Sequence, residues 1–182
     1  ELIKLGHEVR LMPPQYVRPY VKTDKHDAAD AEAICEAVTR PGMRFVPVKT
    51  VEQQTVAQLH RIRRLLVKQR TMHVNALRGH LAELGIVRGQ GRGKAGELVR
   101  LIEGAGDDGI PAKVRHQLRH LVELLRDLER RLAELDRELG ELAREDPVAR
   151  RLATIPGVGP ITATALAMTI GDIGRFRSGR HL

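Results

Sequence analysis

The sequence is short of the residues on which several common kinds of site depend. Its 182 residues include no tryptophan, two tyrosines and two phenylalanines. Unpaired bases bind by stacking on aromatic rings. With so few aromatic residues, base stacking cannot contribute most of the affinity for a nucleic acid. Cys35 is the single cysteine, which excludes an internal disulfide and a cysteine-based zinc site and fits a reducing compartment. The eight histidines show no HExxH spacing, so we expect no zinc site of that kind.

Long apolar runs are missing too. No stretch approaches the roughly 20 apolar residues that a membrane-spanning helix needs, and there is no signal-peptide layout. We therefore expect a cytoplasmic protein without a membrane partner. The chain has 31 Lys and Arg against 23 Asp and Glu, a formal charge of +8. This excess indicates a polyanionic partner, with nucleic acid the leading choice and an anionic membrane surface the alternative.

Both ends of the sequence resemble interior parts of a longer chain. Residues 1 to 5 resemble the end of a helix that Gly6 closes, and residues 176 to 180 resemble the start of an element. We expect further segments on both sides.

The first part of the chain mixes short elements with turns. His7–Met12 alternates weakly between apolar and polar residues and ends at two prolines, which predicts a short strand. Met43–Val48 is a possible second strand. Between them, residues 25 to 39 carry alanines with Ile34 and Val38 and stop before a Pro-Gly pair, which predicts a helix of about four turns.

Two long amphipathic helices are predicted beyond this part. The first has apolar residues at three-four spacing with one phase slip after its third member: Leu59, Ile62, Leu66, Val74, Leu77, Leu81 and Leu84. The second has an unbroken coiled-coil seam: Leu118, Leu121, Leu125, Leu128, Leu132, Leu135, Leu139 and Leu142. Residues 85 to 111 are rich in glycine, with room for one short helix around 97–102, and let the long helices fold back antiparallel. Pairing between two protein copies is the alternative, and both arrangements are compatible with the pattern.

Three aspartates follow one another at intervals of three where the helix over residues 25 to 39 begins. Asp27 and Asp30 fall on the same side as Ile34, which we expect to be the buried side. Carboxylates there need a neutralising partner, and Mg²⁺, held by one or two carboxylates plus phosphate oxygens, is the natural one. We interpret Asp27 and Asp30 as catalytic metal ligands and Asp24 as the helix cap. The alternative is that all three only complement the helix dipole.

A Gly-Val-Gly turn at Gly157, Val158 and Gly159 lies between two short predicted helices and resembles a helix-hairpin-helix. Glycines let the backbone approach a phosphate, the next helix presents free N–H groups, and Val158 is expected to anchor the turn in the core. Such a turn binds DNA backbone without reading sequence. Arginines surround it: Arg150, Arg151, Arg175, Arg177 and Arg180. An ordinary helix-capping loop is the alternative.

The first long helix has a strongly basic segment. Residues 53 to 82 contain no acid, whereas residues 112 to 146 mix both signs as a solvated coiled coil does. We expect nucleic acid, structured RNA included, to bind along the first helix, with Arg61, Arg64 and Lys68 as contacts. A merely solvated surface is the alternative.

Three stretches of this sequence carry a family resemblance: DAADAEAICEAV, RPGMRFVPVKT and HRIRRLLVKQRTMHVNALRGHLAELGIV. They are similar to the transposases of the insertion-sequence family numbered one hundred and ten, eleven-eleven subgroup, and the resemblance covers nearly the whole chain. It implies a DNA-rearranging enzyme whose RNase-H-like domain is similar to that of Holliday-junction resolvases. In that domain four acids, written D, E, D and D, bind Mg²⁺.

The resemblance carries over to particular residues. Asp27 and Asp30, followed by Ile34, fit the family's DxxDA pattern as its last two acids. Asp24 and Asp27 fit the same pattern, so both registers stay open. The first two acids are expected before Glu1 and the family's serine nucleophile beyond Leu182, and the single serine, Ser178, is not assigned that role. A guiding bridge RNA is also implied as a partner.

We therefore expect a mainly α chain. Residues 1–48 are interpreted as the C-terminal part of an RNase-H-like α/β nuclease domain, 49–146 as an antiparallel coiled-coil hairpin, and 147–182 as the helix-hairpin-helix start of a C-terminal transposase domain. The intact protein would cut and rejoin DNA strands for transposition as a homo-oligomer, and this stretch alone would be inactive. The alternatives are a non-catalytic DNA-binding or scaffold module and a Holliday-junction-type nuclease.

Overall fold

A computed structural model describes residues 1–22, 26–89, 91, 93–104 and 109–170. Over these residues the chain is mainly helical, as predicted, and it forms two compact units, Glu1–Glu52 and Gln53–Leu182. The first unit contains α1 (Pro14–Val17), a 3-10 turn (Arg18–Tyr20) and α2 (Asp27–Val38). The remaining helices are α3 (Val51–Glu83), α4 (Lys94–Glu103), α5 (Ala112–Glu145), α6 (Pro147–Leu152) and α7 (Pro160–Ile170). In the described ranges no helix has both the length and the apolar character needed to cross a membrane.

The two strands predicted in the first unit are reduced to one bridge. Val46 donates a backbone hydrogen bond to the carbonyl of Leu11 over 2.8 Å, and the two residues form an isolated antiparallel bridge. Prolines at positions 13, 14 and 47 have no N–H to donate, so a ladder cannot extend from it. Within the described residues no strand forms, and the predicted strand lengths were wrong, although the two segments do meet.

Helix α2 buries alanines rather than the larger side chains expected from the sequence. Ala33 and Ala37 are fully buried, whereas Ile34 is 48% exposed. Asp27 and Asp30 are exposed as well, so the prediction that both lie on a buried stripe was wrong. The reason is that α2 packs against α1 and the 3-10 turn through its small side chains. The larger and charged residues are left at the margin of that contact.

The N-terminus of α2 is capped by a histidine. Nδ1 of His26 accepts a hydrogen bond from the backbone N–H of Ala29 over 3.1 Å, and the helix begins at Asp27, later than predicted. A ring nitrogen with a free lone pair satisfies the same N–H that a carboxylate would. The cap was predicted at Asp24, which lies outside the described residues.

The two long helices share a core with α4. The buried members of this core are Leu77, Leu81, Leu98, Ile102, Ile110, Leu118, Val122 and Leu125. At the far side, Arg63 of α3 forms an ion pair with Asp136 of α5 over 2.5 Å. Leu77 and Leu81 of α3 share the core with Leu118 near the start of α5, whereas Arg63, earlier in α3, pairs with Asp136, later in α5. The two helices therefore run antiparallel where they touch. The coiled-coil geometry of that contact stays a prediction.

The leucine seam of α5 faces the interior. Its buried members are Leu118, Leu125, Leu128, Leu132 and Leu139, and its half-buried members are Leu121, Leu135 and Leu142. Leu124, which lies off the seam, is 52% exposed. Full burial of a leucine contributes roughly 2 kcal/mol, so this seam is a major source of stability. The short helix predicted around residues 97–102 is present as α4.

The packed face of α3 includes polar residues that the predicted apolar stripe did not contain. It follows three-four spacing through Leu81, Leu77, Val74, Arg70, Val67, Arg63 and His60, of which only Arg70 is exposed. Ile62, a member of the predicted stripe, is 38% exposed. Apolar periodicity does not identify these polar positions, and the predicted phase slip stays a prediction.

Helices α6 and α7 pack together against the end of α5. Ala143, Ala149 and Ala163 are buried in one cluster, with Leu152, Val158 and Ala167 packed on it. Asp146 caps α6, since its Oδ1 accepts from the N–H of Val148 over 2.7 Å. The two helices predicted on either side of the Gly-Val-Gly turn are therefore present.

Candidate functional site

Only one of the two glycines in the Gly-Val-Gly turn has a backbone conformation that requires glycine. Gly157 has φ +87°, the left-handed region, while Gly159 is outside that region and has open space where a Cβ would stand. Val158 packs on the α5–α6–α7 cluster, as predicted, and donates its N–H to the carbonyl of Ile155 over 3.0 Å. In the described part of the chain, no neighbour of Gly159 requires a glycine at that position.

The start of α7 and the arginines of α6 provide donors on either side of this turn. The helix begins with Pro160, and Ala163 donates to the carbonyl of Gly159 over 2.9 Å. Amides in the first turn of a helix have no acceptors of their own, and the helix dipole favours an anion there. Arg150 and Arg151 are exposed and form no ion pair with any described residue. The predicted Arg175, Arg177 and Arg180 lie outside the described residues.

The basic segment of α3 divides into two faces. Arg61, Arg64 and Lys68 are all exposed, and their spacing of three and four places them on one side of the helix. None of them is ion-paired to another residue of the described ranges. Arg63, by contrast, is only 26% exposed at its side chain and is neutralised by Asp136. The three predicted contact residues are thus all exposed, whereas Arg63 has a structural partner.

The two candidate metal ligands lie in the first turn of α2, three residues apart. Asp30 lines an open groove of about 900 Å³ together with Arg10 and Arg18. Neither Asp27 nor Asp30 has an ion-pair partner in the described part of the chain. Glu32 on the same helix does, since the Lys22 ammonium lies 2.9 Å away and its hydrogen bond holds the pKa of Glu32 below the usual range.

The donor set of α2 fits part of a Mg²⁺ site. Within the described residues no group of three His, Cys, Asp or Glu side chains is arranged to hold a metal. Two exposed carboxylates match the number that protein sites commonly offer to Mg²⁺, which takes its other ligands from water and phosphate oxygens. Of the two arginines of the adjacent groove, Arg18 suits the phosphate, and Arg10 is also paired with Glu8 over 2.6 Å. Asp27 and Asp30 could therefore contribute to such a site but do not complete one.

His60 is a half-buried residue whose contact sequence reasoning missed. Its Nε2 lies 3.1 Å from Oγ1 of Thr164, and Thr164 is 3% exposed. Burial, with a smaller effect from Arg63, lowers the pKa of His60 below its ordinary value. Extending the three-four spacing back from Leu77 would have pointed to this residue, had polar positions been admitted to the stripe.

Residues 2–86 match a DEDD-type transposase family model, and residues 149–182 match the model described as transposase IS116/IS110/IS902 family. The chain belongs to this family of transposases. Asp27, Asp30 and the basic face of α3 fall within the first matched region. The Gly-Val-Gly turn falls within the second.

Individual relatives agree along the whole chain. A probable family 20 transposase from Pseudomonas aeruginosa is 47% identical over 182 residues, which is 100% of this chain and 54% of the relative. The transposase for insertion sequence element IS1328 from Yersinia enterocolitica is 40% identical, over 97% of this chain and 52% of its own length. The transposase for IS1111A from Coxiella burnetii is 39% identical, over 98% and 49%. The chain thus spans about half the length of these curated relatives, and no solved structure matches it.

Proposed function

We propose that this chain acts in DNA transposition, as part of an enzyme that binds DNA and cuts and rejoins its strands with Mg²⁺. The observation that carries the proposal is the position of Asp30, in the region matched by the DEDD-type model, beside a groove with Arg10 and Arg18. Carboxylates for a metal and arginines for phosphate are the two kinds of group that phosphodiester chemistry needs in one place.

Asp27 and Asp30 would hold the metal together with further acids of the family's DEDD set. When bound, Mg²⁺ would neutralise phosphate charge and activate the attacking oxygen. The residues of this chain have separate tasks. The carboxylates orient the cation, and Arg10 and Arg18 bind and position the phosphate backbone in the groove. The RNase-H-like identity of the first unit is part of this proposal.

The second unit would supply most of the affinity for nucleic acid. The turn at Gly157, Val158 and Gly159, with Arg150 and Arg151, would bind DNA backbone in the manner of a helix-hairpin-helix. The exposed face of Arg61, Arg64 and Lys68 would bind a second stretch of backbone, either DNA or a structured bridge RNA. Assembly of more than one copy and a cytoplasmic location complete the proposal.

A non-catalytic scaffold is the second candidate, and one observation favours it. Asp27 and Asp30 are exposed in the first turn of a helix, where acids also serve simply to complement the positive end of the dipole. In that case DNA binding would need no divalent cation. A Holliday-junction-type nuclease would share the metal ligands and differ only in failing to rejoin strands.

Substitutions that remove one negative charge from α2 distinguish the proposed enzyme from the non-catalytic scaffold. Asp27→Asn and Asp30→Asn would be introduced into the complete reading frame, and transposition frequency measured in cells at matched protein levels. We expect a loss on the order of a hundredfold or more, because a metal ligand is removed. Glu32→Gln, which removes the same charge from the same helix, is the control and should stay near the parental frequency. Parental activity in both Asp variants would favour the scaffold.

A further inference from the structure

Both tyrosines of the chain line a single groove in the first unit. This groove, of about 650 Å³, contains Tyr16 and Tyr20 together with Arg40 and Arg44, and no described residue of its lining is acidic. It adjoins the groove that contains Asp30 in its lining, since Gln15 lines both. In a chain with only two tyrosines and no tryptophan, this placement concentrates the capacity for stacking at one point.

The aromatic and cationic groups of the groove are arranged to stack. The guanidinium of Arg40 lies over the ring of Tyr20, 5.6 Å from its centroid, and Glu36 pairs with Arg40 over 2.5 Å and holds it there. Tyr16 is 38% exposed, so its ring has surface available to a ligand. Gln15, also part of the lining, offers a side-chain amide that can both donate and accept hydrogen bonds.

This set of groups matches the chemistry of an unpaired nucleotide. Bases stack on tyrosine rings and on guanidinium planes, an amide can pair with the edge of a base, and arginine binds the flanking phosphate. Duplex DNA keeps its bases stacked inside the helix and would use only the arginines. An acidic peptide would likewise leave the tyrosine rings unused.

We propose that this groove binds an unpaired base of a DNA strand next to the site of strand exchange. The inference rests on the proposed function, because strands that are cut and rejoined must separate from their first partner and expose bases. Tyr16 would stack on the base, Arg44 would bind the adjacent phosphate, and the Arg40–Tyr20 pair would form the wall. The groove would thereby hold a displaced strand during exchange.

Tyrosine fluorescence of the intact 182-residue chain provides a direct test. Tyr16 and Tyr20 are its only tyrosines, and both line the groove, so every tyrosine signal reports on this site. Titration with a thymine oligonucleotide should quench the emission, after correction for oligonucleotide absorbance. A duplex of equal length should leave it nearly unchanged. Quenching by the duplex equal to that by the single strand would overturn the proposal.

Substitutions assign the binding to particular groups. Tyr16→Ala should weaken single-strand binding by roughly five- to a hundredfold, the range of one lost stacking contact, and leave duplex binding unchanged. Tyr16→Phe keeps the ring and should stay within about twofold of the parent. Arg44→Ala should lower the salt dependence of single-strand binding by about 0.7 in log–log slope. Arg119→Ala makes the same charge change at an exposed position of α5 outside this groove, and it is the matched control.

Each other outcome contradicts the proposal. Unchanged binding by Tyr16→Ala, or equal losses in Arg44→Ala and Arg119→Ala, would mean that charge alone attracts the strand. If a uracil RNA oligonucleotide bound more tightly than the thymine oligonucleotide, and its binding depended on Tyr16, the groove would be a site for RNA and not for DNA. Single-strand binding should survive Asp27→Asn, so failure here can be told apart from failure of the metal site.

Discussion

The imidazole of His60 on α3 and the hydroxyl of Thr164 on α7 meet 3.1 Å apart in the interior of the second unit. Oγ1 of Thr164 also lies 3.0 Å from the carbonyl of Pro160, to which it can donate while it accepts from His60. The contact connects the region matched by the DEDD-type model with the region matched by the second transposase model. It therefore holds the start of α7, beside the Gly-Val-Gly turn, against the basic helix.

Acid should weaken this contact. The pKa of His60 is lowered in the folded chain, so the unfolded chain binds its proton more readily. The stability from a neutral His60 is complete above the ordinary histidine pKa of about 6.5 and is lost as pH falls from there towards the lower folded pKa. We expect the urea midpoint to fall between pH 7.5 and 5.5 by more in the parent than in His60→Gln. Equal pH dependence in both proteins would show that other groups carry the effect.

The two glycines of the turn should respond differently to alanine. Gly157→Ala forces a side chain into φ +87° and should cost roughly 1–2 kcal/mol of unfolding free energy. Gly159→Ala meets open space and should leave stability within about 0.5 kcal/mol, yet weaken duplex DNA binding because the new methyl group keeps a phosphate away. Urea unfolding and fluorescence anisotropy measure the two effects. Unchanged DNA affinity in Gly159→Ala would remove the turn from the interface.

The exposed basic face of α3 should determine salt dependence. Replacing Arg61, Arg64 and Lys68 together by Gln should lower the slope of log affinity against log salt by up to about three for duplex DNA. The matched control replaces three exposed arginines of α5, Arg119, Arg137 and Arg144. It makes the same change in net charge on a helix where acids are interspersed. Equal slopes in the two triple variants would indicate that net charge, and no particular face, governs binding.

The sequence predicted the features that depend on neighbours along the chain. The leucine spacing of α5, the short α4 and the helices on either side of the Gly-Val-Gly turn are all present. Asp27 and Asp30 lie on the helix that was predicted there, and Arg61, Arg64 and Lys68 are exposed on the first long helix, while their roles stay predictions. Periodicity and capping rules describe interactions over three or four residues, and these elements need nothing more.

Predictions that needed a distant partner were wrong or were not made. The buried face of α2 consists of Ala33 and Ala37 because another short element lies against it, and its aspartates stay exposed. His60 and Arg63 replace apolar residues on the packed stripe of α3 because Thr164 and Asp136 stand opposite them. No pattern within one helix reveals which polar residue has such a partner.

The sequence alone determines the helices of this protein, its excess of positive charge and its membership of a transposase family. The helices follow from local spacing, the charge from composition and the family from similarity along the chain. Which side of each helix is buried, and which of its arginines stay unpaired, came only with the folded arrangement. So did the meeting of Tyr16 and Tyr20 with Arg40 and Arg44, since those residues are brought to one groove by the packing of α1 and the 3-10 turn on α2. Burial and pairing depend on two surfaces in contact, and the sequence of a single segment describes only one of the two surfaces.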